Sequence, residues 1–437
     1  MSPIVLVSMP WAMPRRPSLA IGLLHSILEQ NGLSVVSRCA YLDFLEFITN
    51  YSIANGCPRL GIEDYEHIAS QHYLGEWIFS GPPFFERSWS DHSYLEYLLD
   101  RNFPGDLIEV AREFRRCVPE FLEYCSEMIL NLGPLAVGFS TTLSQTIPSL
   151  IVSKRLKQLR PDLPIVFGGA NCEGEMGRAM FSSFEWIDVI VQGEAENSVY
   201  PVFADLIAGH PVAPIPGVLA RRQTQLATIR KNLYRQFTSL DDQPTPNYDH
   251  YFGALPEHPL GPELLETASI PVETSRGCWW GAKHHCTFCG LNGETIAFRS
   301  KSASRAEEEY LTLAERYGIK RFEASDNILD LSYLGTLLPR LANSGAGLSL
   351  FYEVKVNLSK DNLRTLAKAG VSKIQPGIES LSSSILQLMR KGTTALQNIR
   401  FLKWCAELKI HPDWNIIFGF PGEDMAEYER MAAHQHK

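Results

Sequence analysis

Over the first 210 residues, short apolar runs alternate with stretches of helical period. Residues 4–7 form an apolar run that predicts a buried strand. Residues 18–30 carry helical spacing and close on Asn31-Gly32, a pair suited to ending a helix. Residues 33–36, 135–139, 165–167 and 187–191 predict further strands, with a helix over 147–159. Apolar strands separated by helices predict a parallel sheet covered on both faces. Residues 51–130 break this rhythm. They hold Tyr65, Tyr73, Trp77, Phe79, Phe84, Phe85 and Trp89 and the turn Gly81-Pro82-Pro83, and predict a largely helical insertion whose aromatics mostly pack.

Prolines then crowd the chain, from Pro211, Pro214 and Pro216 to Pro244, Pro246, Pro256, Pro259 and Pro262. Residues 211–265 predict a linker with a small β excursion at 218–234 and a domain boundary near residue 240. From 268 the alternation resumes. Strands are expected at 270–274, 321–324, 348–356, 373–378 and 415–418, with helices at 303–317, 332–342, 360–369 and 396–408. The fold class is α/β. A doubly wound, Rossmann-like domain (1–210) precedes a partial (β/α) TIM-like barrel (266–437). Five strands are fewer than a complete barrel needs, so the chain is expected to lack the end of that barrel.

Length and composition agree with two soluble domains: 437 residues, 45% hydrophobic, 20% charged. The net charge of −9 argues against a nucleic-acid binder, because phosphate contacts need excess Lys and Arg. No apolar run reaches the roughly 20 residues that span a bilayer. The amino terminus has no charged region ahead of its apolar stretch, so a secretory signal is not expected and a cytoplasmic location is. Nine cysteines are present. Cys39, Cys57, Cys117, Cys125, Cys172 and Cys405 are scattered and read as reduced, packed thiols. Cys278, Cys286 and Cys289 lie within twelve residues of one another.

These three sit in Ser275-Arg276-Gly277-Cys278-Trp279-Trp280-Gly281-Ala282-Lys283-His284-His285-Cys286-Thr287-Phe288-Cys289-Gly290, just after the first strand of the second domain. Loops at the carboxyl ends of barrel strands carry the chemistry of such folds. Three thiolates suit zinc, with His284 or His285 as a fourth ligand, or a four-iron cluster with one iron left open. Spacing alone does not separate the two.

The segment Cys286-Thr287-Phe288-Cys289 behind an upstream cysteine resembles the radical S-adenosylmethionine (SAM) superfamily. There the aromatic before the last cysteine, here Phe288 with Gly290 just beyond, lies near the cofactor. The usual gap between the first two cysteines is three residues; here it is seven. The whole string resembles the radical SAM C-methyltransferases that mature ribosomally made peptides, whose cluster motif is CX7CX2C. Trp279, Trp280, Lys283 and His284 are expected to shape the longer loop. The resemblance extends downstream. Gly377-Ile378-Glu379-Ser380 looks like the motif that binds the SAM ribose, where a carboxylate can accept both hydroxyl protons. Phe322-Glu323-Ala324-Ser325-Asp326-Asn327 ends the second strand, where the family contacts the methionine amino group. Glu353 is a further polar candidate on the third strand, and residues 415–422 (NIIFGFPG) look like the fifth strand and its turn.

A doubly wound sheet binds ligands beyond the carboxyl ends of its strands. The candidate loops are 9–18 with Trp11, 140–145 with Ser140, Thr141 and Thr142, 168–173 and 192–196. Gly168-Gly169-Ala170-Asn171 allows close approach of backbone to a bulky ligand. Gly193-Glu194-Ala195-Glu196 is expected to start a helix, its acids facing the positive end of the helix dipole. The pattern resembles the cobalamin-binding domain fused to many radical SAM enzymes. The Asp-x-His-x-x-Gly loop that ligates cobalt is absent, and His25 reads as packing. The resemblances imply a [4Fe-4S] cluster, SAM and cobalamin, a precursor-peptide substrate, and a reductant such as flavodoxin or ferredoxin. They imply reductive SAM cleavage, hydrogen abstraction from an unactivated carbon and methyl delivery from methylcobalamin. The alternatives are a cobalamin-free radical peptide modification and a non-catalytic zinc- or cobalamin-binding module.

Overall fold

The computed structural model describes residues 2–56, 60–81, 91–222, 236–290 and 297–434. Two compact units emerge. Met1–Phe237 with Gln243–Thr267 forms the first, and Thr238–Asp242 with Ala268–Lys437 the second.

The first unit opens with strand β1 (Ile4–Ser8), helix α1 (Leu19–Gln30) and strand β2 (Val35–Cys39). Ser18 caps α1 by accepting the Ile21 N–H. The helical insertion follows at once as α2 (Ala40–Asn55), α3 (Ile62–Ser70), α4 (His72–Phe79), α5 (Asp91–Asp100) and α6 (Gly105–Asn131). It therefore starts at residue 40, not 51: Phe44, Leu45 and Ile48 already bury one face of a helix there. The chain then alternates through β3 (Ala136–Ser140), α7 (Thr146–Leu159), β4 (Ile165–Gly168), α8 (Gly174–Ser183), β5 (Val189–Val191), α9 (Val199–Ile207) and β6 (Val218–Ala220). The sheet order is β2-β1-β3-β4-β5-β6, parallel except for the last strand. Ile4 and Leu6 pack with α1 and α9 on one face, while Val5 and Val7 join the core shared with α2, α6 and α7 on the other. This is the doubly wound arrangement, and the order reverses between β1 and β3. Of the expected insertion aromatics, Phe84, Phe85 and Trp89 lie outside the described residues, as do Pro82, Pro83, Cys57 and the β excursion beyond Arg222.

The proline-rich stretch is not a free linker throughout. Helices α10 (Asp249–Ala254) and α11 (Gly261–Thr267) belong to the first unit. Tyr251 donates to the Pro14 carbonyl at 2.7 Å, and Ser26 to the Thr245 carbonyl at 2.8 Å. Tyr248 packs so closely over Gly22 that a Cβ there would lie 2.6 Å from its ring. Prolines stiffen this return over the first unit without needing main-chain N–H partners.

The second unit runs β7 (Ile270–Val272), β8 (Ser275–Arg276), α12 (Gly281–His284), β9 (Arg299–Ser300), α13 (Ala303–Tyr317), β10 (Arg321–Ala324), α14 (Leu337–Asn343), β11 (Ser349–Glu353), α15 (Lys360–Lys368), β12 (Val371–Gln375), α16 (Ser383–Leu388), α17 (Ala395–Leu408), β13 (His411–Pro412) and α18 (Ala426–His434). Five strands form a parallel sheet in the order β13-β12-β11-β10-β7, and β8 with β9 makes a two-residue antiparallel ribbon. Consecutive βα units laid side by side are barrel topology. The expected fifth strand at 415–418 is reduced to one bridge, Glu379 to Ile416, and the strand pairing moves upstream to His411–Pro412. Asn415-Ile416-Ile417 is followed by Phe418-Gly419-Phe420-Pro421, and the positive φ of Gly419 turns the chain away from the sheet. Among the described residues, no helix is long and apolar enough to cross a membrane.

Candidate functional site

The cysteine loop is rooted in a buried polar knot. Asp326 is fully buried and accepts from the Thr274 main chain at 2.7 Å, from the Thr274 hydroxyl, and from the Ser275 hydroxyl at 2.9 Å. Tyr333 adds a hydrogen bond to the Thr274 carbonyl, and Tyr310 and Tyr352 join hydroxyl to hydroxyl at 2.8 Å beneath it. Burial raises the Asp326 carboxyl to about 6, against the pull of its donors. Asp326 therefore positions the loop and is not open to a ligand, contrary to the expectation from its strand-end place. Glu323 departs in another way: it accepts from Ser269 at 2.7 Å, at the amino end of β7 and away from the loop. Asn327, three residues past β10, is half-buried.

Beyond Gly277, whose φ of +83° is left-handed, the loop is bolted down by both tryptophans. Trp279 donates to the Leu329 carbonyl at 3.0 Å. Trp280 packs over Gly392, where a Cβ would lie 2.3 Å from its ring, and the His284 ring lies 4.2 Å from it. Thr287 returns the chain with hydrogen bonds of 3.1 Å to the Met389 and Leu388 carbonyls. These residues shape the loop, as expected. Lys283, His284 and His285 are exposed.

The three thiols are free, Cys286 buried and Cys278 and Cys289 half-buried. The Gly281 N–H points to the Cys278 sulfur at 3.3 Å. Burial raises the Cys286 thiol, Lys391 and Lys355 pull it down, and Cys289 and Cys278 push it up. All three cysteines and two lysines thus share one electrostatic environment. Among the described residues no three His, Cys, Asp or Glu side chains are gathered as a preformed metal site, so a metal would have to draw the thiols together. The donor set fits a thiolate-bound iron–sulfur cluster: three soft sulfurs, an N–H directed at one of them, and nearby positive charge.

The Gly377 to Ser380 motif follows β12 as a strained bend. Gly377 has φ +48° and Glu379 +60°. The Glu379 carboxylate accepts from Lys391 at 2.8 Å. Ser380 departs from the expected ligand contact: it is fully buried, with its hydroxyl against the Met431 sulfur and the Ser382 N–H. Asn398 holds the bend from behind, donating to the Ile378 and Ser380 carbonyls at 3.0 and 2.8 Å. Glu353, half-buried, is raised to about 7 by burial, reinforced by Asp326 and Glu379 and opposed by Lys391. Thr287, Phe288, Ile417, Phe418 and Phe420 line an open cleft of 550 Å³, and Gly290 is exposed nearby in sequence. Lys355, Lys391, Asn398 and Gly392 escaped sequence reasoning, since no local pattern marks them.

At the carboxyl edge of the first sheet, the expected loops fall into two groups. Trp11 is core: it donates to the Gly75 carbonyl at 2.9 Å among Phe44, Tyr65, Phe79 and Phe114. Thr141 is fully buried and donates to the Gly168 carbonyl at 3.1 Å. The close approach that Gly169 permits is to Thr141, not to a ligand: a Cβ there would lie 2.4 Å from the Thr141 carbonyl oxygen. Asn171 donates to the Leu143 carbonyl and the Thr146 hydroxyl, both at 2.7 Å. Residues 193–198 are not helical. Helix α9 starts at Val199, and Glu194 and Glu196 accept instead from the Phe237 N–H and from Gln243. Ser140, Thr142, Leu143, Gly168, Gly169, Ala170 and Gly193 of these loops are half-buried or exposed and carry no charge, and Leu143 is 65% exposed at φ +49°.

The switch point itself is closed. Gln145 bridges the β1 and β3 loops through Ser8 and the Met9 carbonyl. Glu76 of α4 accepts the Thr146 and Ile147 N–H groups at 3.1 and 2.7 Å, so the positive amino end of α7 already holds a carboxylate. Burial raises Glu76 to about 7 from its ordinary 4.5. The folded unit then binds this proton more tightly than the unfolded chain. Its contribution is greatest below pH 4.5 and is lost as pH rises through 7, about 3 kcal/mol in all. Glu76→Gln is expected to lack this loss. Urea midpoints of both proteins from pH 4.5 to 8 measure it, and parallel pH profiles would refute it.

Residues 272–434 match the Radical SAM superfamily. An uncharacterized methyltransferase of Pyrococcus horikoshii is 26% identical over 312 residues, 70% of this chain and 64% of that protein. TsrM from Kitasatospora setae, a radical S-adenosylmethionine methyltransferase solved with cobalamin and a [4Fe-4S] cluster, is similar with a TM-score of 0.60 at 17% identity, covering 99% of this chain and 70% of that one. The cobalamin-dependent S-adenosylmethionine radical enzyme OxsB, solved with aqua-cobalamin and S-adenosylmethionine, gives 0.58 at 16%, over 95% of this chain and 49% of that one. The chain therefore spans 64% of the first and about half of the last. The two units share their fold with these enzymes: a Rossmann-like sheet followed by a radical SAM barrel unit.

Proposed function

We propose that the protein is a cobalamin-dependent radical SAM C-methyltransferase acting on a ribosomally made peptide. The observation that carries the reading is a single loop with three free thiols, set after the first strand of a parallel βα sheet, whose Cys286 feels the charge of two lysines, one of them paired with Glu379. Cys278, Cys286 and Cys289 would hold a [4Fe-4S] cluster. Phe288 and the cleft wall of Ile417 and Phe420 offer apolar faces for an adenine ring, and Glu379 is available to accept ribose hydroxyls. When bound, the cluster supplies a low-potential electron for SAM cleavage and cobalamin carries the methyl group. Three cysteines would leave one iron of such a cluster free for SAM.

The first sheet supports cobalamin over a nucleotide. A phosphate ligand favours the positive amino end of a helix at the switch point. Glu76 fills that end, and the exposed positions of the β3 and β4 loops, Thr142, Leu143, Gly169 and Ala170, carry no charge, which suits a broad macrocycle laid across them. The seven-residue gap and its string supply the peptide assignment. The test is anaerobic incubation with SAM, a flavodoxin- or ferredoxin-type reductant, cobalamin and a precursor peptide encoded nearby, followed by mass spectrometry. A gain of methyl mass with deoxyadenosine is the expected result. Peptide modification without cobalamin supports the cobalamin-free reading, and stoichiometric zinc without SAM cleavage defeats the enzyme.

A further inference from the structure

Lys355 lies two residues beyond β11 and is only 6% exposed. Its ammonium donates to the Lys391 main-chain carbonyl and sits 4.0 Å from the centre of the Trp280 ring. Among the described residues no carboxylate pairs with it. Lys391 differs, since its own ammonium is matched by Glu379 at 2.8 Å. A buried cation without a counter-charge is costly. Burial and the neighbouring Lys391 draw Lys355 down to about 8, and only Cys286 and Cys278 pull it back up. The ring that holds the ammonium lies two residues after Cys278, so the negative charge at hand to balance it is that of the cysteine site. Lys355 is not among the residues that line the open cleft of Phe288, Ile417 and Phe420.

Three thiolates bound to iron form an anionic group, and one-electron reduction makes it more negative still. A fixed cation nearby stabilises the reduced form more than the oxidised one. The seven residues between Cys278 and Cys286 carry Trp280, whose ring holds the ammonium, so the long loop brings this charge to the site. We infer that Lys355 is the counter-charge of the iron–sulfur cluster and raises its reduction potential. One electron enters from an external flavodoxin- or ferredoxin-type donor; no bond forms or breaks, and Lys355 keeps its proton. Lys355 acts here as a positioning charge. The inference rests on the cluster assignment proposed above.

The test uses the full chain, reconstituted anaerobically with iron and sulfide and titrated potentiometrically with electron paramagnetic resonance detection. Lys355→Met is expected to retain iron and sulfide at the wild-type level. Its midpoint moves negative, so that at the wild-type midpoint the reduced-to-oxidised ratio falls about tenfold, equivalent to 59 mV for one electron. Lys355→Arg, which keeps the charge, recovers most of that ratio. An unchanged midpoint in a fully loaded Lys355→Met protein overturns the inference. So does an unchanged midpoint with weakened SAM binding, which would assign the lysine to a SAM carboxylate. If Lys355→Met fails to load, Lys355→Gln, with a shorter stem and a neutral polar head, is expected to show the same negative shift, and no shift overturns the inference. A wild-type chain that takes up no iron defeats the cluster assignment itself, a different result from a loaded variant with an unmoved potential.

Discussion

Alanine at Cys278, Cys286 and Cys289 together is expected to take iron from about four per chain to background after anaerobic reconstitution and to abolish deoxyadenosine formation from SAM. The reason is the ligand count. With three protein thiols and no fourth cysteine in the loop, loss of any one leaves too few sulfurs to hold the cluster, and among the described residues no three His, Cys, Asp or Glu side chains are gathered to replace it. His284 and His285 are exposed, and the His284 ring is engaged with Trp280. Fold should survive, because the loop is held by Trp279, Trp280 and Thr287 and by the Asp326 knot, not by its cysteines. Circular dichroism checks the fold, iron and sulfide analysis the cluster, and chromatography the deoxyadenosine. SAM cleavage retained by the triple variant would remove the basis of the proposed function.

The second large effect belongs to the first unit. Gly169 has φ +98° and ψ 178°, a region open in practice only to glycine. Alanine there adds backbone strain and drives a Cβ to 2.4 Å from the Thr141 carbonyl oxygen and 2.8 Å from its nitrogen. Both atoms are in use: Thr141 donates to the Gly168 carbonyl at 2.8 Å and accepts from the Asn171 N–H at 3.2 Å. Gly169→Ala must separate the β3 and β4 loops, and is expected to cost about 3–4 kcal/mol of stability. Since those loops form the rim assigned to cobalamin, binding should weaken at least about tenfold, or 1.4 kcal/mol. Iron content should be unchanged, because the cysteines lie in the other compact unit. Urea denaturation and the absorbance of bound cobalamin read the two effects. Undiminished cobalamin binding would move its site elsewhere.

The parts of this molecule that were legible in the sequence are those written in local pattern. Helix α13 falls at 303–317, as its spacing requires, and Ser302 caps it in advance. The α1 boundary, the strands of the first sheet and the cysteine loop were likewise visible, because burial of one face leaves a period in the chain. Errors arose where one pattern supports two readings. Gly168-Gly169 signalled close approach correctly, but the partner is Thr141 and not a ligand. Asp326 and Ser380 carried polar atoms at strand ends, where a buried knot and a binding site call for the same residue types. Trp11 sat in the right loop and faced the core.

By itself, then, the sequence determined the alternation of strands and helices, the two-part order of the chain and the clustering of its three thiols. Each depends on residue type and short-range spacing. Only the tertiary structure decided which polar side chains face a ligand and which brace the loops. It alone brought Lys355 and Lys391 to cysteines more than 60 residues earlier, Glu76 to the amino end of α7, and Asn398 behind the Glu379 bend. The physical reason is that charge and hydrogen bonding act through space over a few ångströms, while the pattern along a chain records only which faces are buried.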